Sequence, residues 1–531
     1  MIDLLIQGGT IVDGSGSAGY PAAVGIANDR LTILRGDVED VEARRSIDAT
    51  GMVVAPGFID MHSHSGLVIF EEPTHEAKLR QGVTTELIGV DGISYAPFTD
   101  RADLEDLVVL NAGLDGRPDI RYDWDTVASY LSRFDRRVSP NIAFVIGNSA
   151  LRICTVGWEG APADADAVKN MRALLREGMG EGAYGLSTGL DYPPGSHATT
   201  EELAELSAEA AAFGGIYHTH VRYQLGDQFL DPFREAVEIG RRSGCPVHIT
   251  HLYRRVTAPG GATRLLDLVE EAVGEGLDVT FDAYPYPWNS TRLLILLPLW
   301  IQEGRPVEVK ERLADLALRD RLRRDVEERG HRYGGRHLWG SIRLGYFSRP
   351  ENVGYEGKTL LEVMQDRDQH PADAMCELLL SEDLRVNQVG SSPDPATLPL
   401  FVRHPLGMVG TDSVFLGQYP SPRTYGSFPR ILGDLVREER LLSLPEAIRK
   451  MTSFPAQRLG LPDRGLLREG FRADVVVFDA DAVRSSATYH DPRRYPEGIP
   501  YVLVNGEVVI DSGRHTGATP GRALRYRRGD R

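Results

Sequence analysis

Eight short apolar runs, separated by loops and helical stretches, constrain this chain more than any other feature. They are "GFIDMHSH" from Gly57, "VTTELIGVD" from Val83, "NIAFVIGN" from Asn141 and "GAYGLSTG" from Gly182. The other four are "GGIYHTHV" from Gly214, "CPVHITHL" from Cys245, "LDVTFDAYP" from Leu277 and "LGMVGTDS" from Leu406. Near-continuous apolar strands alternating with helices indicate a parallel sheet with both faces covered. Two of the intervening stretches, "TEELAELSAEAAAFG" and "DPFREAVEIGRRSG", read as helices stopped by Gly214 and Gly244. Eight such strands predict an α/β fold of the (β/α)8 TIM-like barrel type. An open doubly wound sheet competes, but no glycine-rich phosphate loop follows the first strand.

Both ends of the chain have a different texture. "DLLIQGG", "TIVDGSG", "VGIANDRLTILRG" and "RSIDATGMVVAPG" alternate and break at Gly or Asn-Asp. "ADVVVFDAD" (Ala473 to Asp481) and "IPYVLVNGEVVIDSG" (Ile499 to Gly513) match them, the second with a hairpin turn at Asn505-Gly506. The two ends are expected to cover each other's apolar faces in one small β-sandwich domain. The expected division is residues 1–56 and 466–531 for that domain and 57–465 for the barrel, with an insertion of helices and loops at about 285–405.

A chain of 531 residues, 42% of them hydrophobic, can bury a full core. Acidic residues exceed basic ones, 76 to 59, and a formal charge of −17 disfavours a nucleic-acid surface. Three widely spaced cysteines form no disulfide ladder, which fits a reducing, cytoplasmic setting. The start "MIDLLIQGG" carries Asp3 and alternates like a strand, so no signal peptide is expected. "LLILLPLW" is too short to span a bilayer, so no membrane is expected as partner. A homo-oligomer is left open.

The chemistry concentrates where strands end. The first strand ends in His62 and His64, the fifth in His218 and His220, the sixth in His248 and His251, and the eighth in Asp412. One histidine alone is more often a hydrogen-bonded core or surface residue. Histidines on three strand ends of a barrel, with an aspartate on a fourth, converge on the face where such barrels place active sites. Imidazoles suit borderline divalent ions such as zinc. Such an ion lowers the pKa of water, and a nearby carboxylate can take the proton and return it to a leaving amine. Asp412 fits that role because the sheet fixes its position. Metal-assisted hydrolysis follows, without a named substrate.

"PGFIDMHSHSG" resembles the opening motif of the amidohydrolase superfamily. "GNSALR", "GLSTGLDYPPG", "YHTHVR", "HITHL", "FDAYPY", "SRPENVGYEGKTLLEV" and "YGSFPRILG" resemble its N-acyl-D-amino-acid deacylase, or D-aminoacylase, branch over practically the whole chain. The resemblance implies one or two Zn2+ ions held by His62, His64, His220 and His251, with Asp412 as catalytic acid/base. It implies a substrate carboxylate held by Arg423 and Tyr284. The branch's lysine after the strand-six histidine is replaced by Tyr253, and the histidine before "PR" by Ser421. Arg152 or Arg254 could restore the lost cation. His218, on the same side as His220 in a regular strand, is a further substrate-contact candidate, whereas His248 is read as structural. The branch usually carries a metal-ligating cysteine within "GNCG"; Val90-Asp91-Gly92 stands there, so Asp91 is the expected ligand, able to bridge two ions.

The leading expectation is therefore zinc-dependent hydrolysis of the amide bond of an N-acyl-D-amino acid, giving a carboxylate and a free D-amino acid. The expected partner is a small molecule bearing an amide and a carboxylate. The replacements at Tyr253 and Ser421 keep a cyclic-amide, imide or carbamate hydrolase as the alternative. A noncatalytic binding protein is the third reading, disfavoured because polar groups at strand ends are costly to retain without use.

Overall fold

Each of the eight apolar runs becomes a parallel strand in the computed structural model, which describes residues 2–36, 38–258, 260–332 and 336–527. They are β1 (Phe58–Asp60), β2 (Val83–Ile88), β3 (Asn141–Phe144), β4 (Gly185–Gly189), β5 (Ile216–His220), β6 (Val247–Ile249), β7 (Val279–Ala283) and β8 (Gly407–Val409). Every residue of these strands is buried, as strands covered on both faces require. Pairing follows chain order: β1–β2–β3 in one sheet, then Ile146–Gly147 with β4 through β8 in another. Backbone bonds cross both gaps. Tyr184 N donates to Phe144 O at 2.8 Å on one side. On the other, Met61 N donates to Val409 O at 3.2 Å and Asp412 N to His62 O at 2.8 Å.

The helices obey their end signals. Thr200–Ala212 begins under Thr199, whose side chain accepts from Glu202 N, and Asp231–Ser243 stops at Gly244 with φ +67°. Among the described residues no helix is long and apolar enough to cross a membrane.

The chain ends meet in one sheet. Val53–Pro56 pairs antiparallel with Val475–Phe478, with Val54 opposite Val477. The hairpin turn at Asn505-Gly506 joins Tyr501–Val504 to Glu507–Asp511, with φ +50° and +84° at its two residues. A second sheet, built from Ile2–Gln7, Ala23–Ala27, Arg30–Leu34 and Ala43–Asp48, shares an apolar core with the first. Met1 and residues 528–531 of the expected small domain lie outside the described residues.

The stretch between β7 and β8 departs from the expected helices and loops. It also contains Trp288–Arg292, Arg343–Tyr346 and Asn387–Ser391, an antiparallel sheet with Asn387–Ser391 in the centre. "WNSTR" and "NQVGS" are polar runs without a strand's alternation, so the sequence did not announce them. Asn387–Ser391 is buried but for Ser391, and its backbone groups pair with the strands on either side.

Candidate active site

The C-terminal ends of β1, β2, β5, β6 and β8 converge. His62 and His64 follow β1, Asp91 follows β2, His220 closes β5, His251 follows β6, and Asp412 follows β8. Three of these residues hold positive φ: Asp91 at +53°, His251 at +33° and Asp412 at +49°. Non-glycine residues there are strained, and such strain concentrates at functional sites. Gly189 packs so close to the Asp91 carbonyl that an added Cβ would collide with it, so a glycine on β4 lets the Asp91 turn sit where it does.

Two ligand groups share Asp91: His62, His64, Asp91 and Asp412 form one, and Asp91, His220 and His251 the other. Within each group, one candidate ligand atom per residue lies within 4.8 Å of the others. Asp91 Oδ1 is 3.4 Å from His62 Nε2, while its Oδ2 lies 3.6 Å from His64 Nε2 and 3.5 Å from His220 Nδ1. Asp412 Oδ1 is 3.6 Å from His62 Nε2 and 3.4 Å from His64 Nε2. Both ring nitrogens of His62 and Asp91 Oδ1 are buried without a hydrogen-bond partner among the described residues. Buried polar atoms normally pair, and an imidazole–carboxylate set left in this state fits a borderline divalent ion.

Around these residues stand acids and two tyrosines that strand-end reasoning missed, Asp191 and Tyr223 on the cavity wall itself. Asp115 Oδ1 is 2.9 Å from His64 Nδ1 and its Oδ2 accepts from Tyr95 Oη at 2.5 Å. Asp282 accepts from His251 N at 2.8 Å and lies 3.1 Å from His248 Nε2. Asp191 Oδ2 is 3.4 Å from His220 Nε2, and Tyr223 Oη is 3.4 Å from His251 Nδ1. Such contacts fix the tautomer and orientation of a ligating histidine. Asp282 had a sequence signal as a polar residue inside the apolar run of β7, and Asp191 had one too, two residues past the end of β4 within "GLSTGLDYPPG"; Asp115 lies off the strands and had none.

The field of these groups is uneven. Burial disfavours charge on His62, but Asp91 and Asp412 outweigh it and raise its pKa to about 10. Burial also acts against charge on Asp91, yet His62 and His220 hold its carboxyl well below the usual range. His251 is pushed down to about 4 by burial and then by His220. Carboxylates that stay ionised at such depth favour a cation between them.

The site opens into a cavity of about 350 Å³ lined by His64, Asp91, His220, His251, Tyr253, Tyr284 and Asp412, among others. Arg423 sits behind that wall: its Nη1 is 2.7 Å from Asp412 Oδ2, its Nη2 donates to Ser290 O at 3.2 Å, and its guanidinium lies 4.5 Å from the Tyr284 ring centroid. Arg152 is buried away from the cavity, with Nη1 on Glu202 at 2.5 Å and Nη2 on Ala161 O at 2.6 Å. His218 is also buried below the cavity floor, its ring stacked on His248 at 5.1 Å and its Nε2 3.1 Å from Met61 O. Arg254 pairs with Asp394 and donates to Gly260 O and Ala258 O.

A site assembled on barrel-strand ends from histidines and shared carboxylates defines a metal-dependent hydrolase class. The amidohydrolase family pattern matches residues 45–293 and 396–510, and the chain belongs to that family. It is 34% identical to a D-aminoacylase of Alcaligenes xylosoxydans xylosoxydans, over 98% of this chain and 97% of that protein. The crystal structure of N-acyl-D-glutamate deacylase from Bordetella bronchiseptica, complexed with zinc and a phosphonate mimic of the tetrahedral intermediate, superposes with a TM-score of 0.82. That pair is 30% identical, covering 99% of this chain and 100% of the other. A D-aminoacylase described for the role of its binuclear metal centre gives a TM-score of 0.83 at 30% identity, over 99% and 100% of the two chains.

Proposed function

We propose that this protein hydrolyses the amide bond of an N-acyl-D-amino acid, releasing a carboxylate and a free D-amino acid, with zinc as its metal. The observation that carries the proposal is the sharing of Asp91 between the His62/His64/Asp412 group and the His220/His251 group, at the floor of the cavity. The names of the similar enzymes supply the acyl and D preferences.

His62, His64, Asp91, His220 and His251 would hold the metal, Asp91 being common to both ligand groups. When bound, the metal supplies Lewis-acid polarisation of the amide carbonyl and lowers the pKa of water. Asp412 then acts as acid/base. Burial raises its pKa, but the Arg423 guanidinium beside it outweighs that and keeps it ionised, ready to accept a proton. The carbonyl carbon gains an oxygen from water, the C–N bond breaks, and the proton held on Asp412 passes to the leaving nitrogen. Tyr253 and Tyr284, on the cavity wall, are assigned to contact substrate.

The architecture in this reading is a closed eight-stranded barrel, supported by the backbone bonds that join β3 to β4 and β8 to β1. A small β-sandwich from residues 1–56 and 466–531 flanks a barrel of residues 57–465, supported by the strand pairing between the two ends.

The test is metal analysis with a paired panel of N-acyl D- and L-amino acids. Turnover of D-substrates with bound zinc is expected, and hydrolysis of L-substrates alone would reject the reading. Arg423 lying behind the cavity wall favours one alternative, a cyclic-amide hydrolase, so hydantoins belong in the same panel.

A further inference from the structure

Two unlike groups of residues line the cavity. One is apolar and comes from the stretch between β7 and β8: Leu296, Leu297, Leu299, Leu338, Trp339 and Ile342. The other lies beside His251 and carries the tyrosines Tyr223, Tyr253 and Tyr284. Two arginines approach these tyrosines. Arg423 is behind Tyr284 and engaged with Asp412. Arg255 lines the cavity itself, its guanidinium 3.8 Å from the centroid of the Tyr223 ring. Tyr223 in turn brings its hydroxyl to 3.4 Å from His251 Nδ1. One ring therefore spans the distance from Arg255 to the floor of the site. The other arginine that lines the cavity, Arg329, belongs with the apolar residues, where its Nη1 donates to Ile295 O and Leu296 O.

We infer that Arg255 is the specificity-determining cation that receives the substrate carboxylate, while the Leu296–Leu299 and Leu338–Ile342 wall receives an apolar group of the same molecule. The inference rests on the functional reading above and narrows it to N-acyl-D-amino acids with a hydrocarbon side chain or acyl group. A guanidinium presents five N–H donors in a planar fork and recognises a carboxylate in pairs. Position 255 lies four residues after His251, so the loop that follows β6 carries both a metal-site histidine and the head-group anchor. Arg255 would thus do what the tyrosine at position 253 cannot, by supplying positive charge on the same cavity wall.

The experiment compares N-acetyl-D-leucine with its uncharged carboxamide, using wild-type holoenzyme and the variants Arg255→Met and Arg255→Lys. Arg255→Met should raise KM for the acid about 10- to 100-fold, the range for hydrogen bonds to a charged group, and leave KM for the carboxamide within about twofold. Arg255→Lys keeps the charge without the fork and should fall between; it supplies the reading should Arg255→Met lose its fold. N-octanoyl-D-alanine in the same series tells whether the wall takes the acyl chain or the side chain. An unchanged KM for the acid, or equal losses on acid and carboxamide, overturns the anchor alone. Wild-type enzyme inert to every N-acyl-D-amino acid overturns the functional reading and the anchor with it.

Discussion

Arg423 Nη1 lies 2.7 Å from Asp412 Oδ2, and this buried ion pair leaves the other carboxylate oxygen, Oδ1, turned toward His62 and His64. One oxygen is held by the protein and the other faces the reacting centre. Asp412→Asn keeps the shape but cannot take a proton, so kcat should fall about 10²- to 10⁴-fold with metal content retained. Arg423→Met removes the hold on Oδ2, together with the bond to Ser290 O and the contact with Tyr284, and should lower kcat by about 10- to 100-fold. Steady-state kinetics with metal analysis on both variants checks this; full activity in Asp412→Asn would reject its role.

Asp91 offers its carboxylate to both ligand groups at once, so its loss should weaken both. Asp91→Ala should lose more affinity than the ~10- to 100-fold typical when an outer partner of a ligand is removed. Chelator competition on wild-type and variant measures it without reference to turnover. A variant that binds two ions as tightly as wild type would show that the carboxylate is a turn residue only.

The ends of the strands were readable because a parallel strand buried on both faces leaves an unbroken apolar run. Polar residues at its C-terminal end then stand out, as His62, His64, His220, His251 and Asp412 do. The Asn505-Gly506 turn was readable because both residues need positive φ. Asp191, two residues past β4, stood at a strand end as readably as the histidines and was passed over, whereas Asp115 was not readable, since it reaches His64 from a short segment with no period of its own. Arg152 misled for the opposite reason. Its charge looked available in the sequence, whereas Glu202, 50 residues away in the chain, engages it. The antiparallel sheet at Trp288–Arg292, Arg343–Tyr346 and Asn387–Ser391 escaped because "WNSTR" and "NQVGS", two of its three strands, carry no apolar–polar alternation.

Asp191 and Asp115 each face the ring nitrogen of a histidine opposite to the one that faces Asp91. A carboxylate there orients the ring and raises its basicity as a ligand. Asp191→Asn should weaken metal binding through His220, and Asp115→Asn through His64, each by about 10- to 100-fold. Metal titration followed by chelator competition reads the two separately. Wild-type affinity in both variants would assign these acids to packing alone.

Glu86 carries a pH-dependent share of stability below the site. It is fully buried on β2, 3.0 Å from His75 Nε2 and 2.5 Å from Ser65 Oγ, with Lys78 Nζ at 3.9 Å. Burial acts to raise its pKa, but His75 and Lys78 prevail and lower it from 4.5 to about 2. A carboxylate lowered on folding stabilises the protein above its unfolded pKa, and the contribution fades as pH falls toward the folded value. A drop of that size from 4.5 to about 2 corresponds to about 3 kcal/mol. Glu86→Gln should therefore be less stable than wild type by about that amount at pH 7. The gap should narrow as the pH is lowered through the window from 4.5 to about 2. Denaturant melts of both proteins at a series of pH values test it, and a gap that stays constant below pH 4.5 would remove the ion-pair account of Glu86.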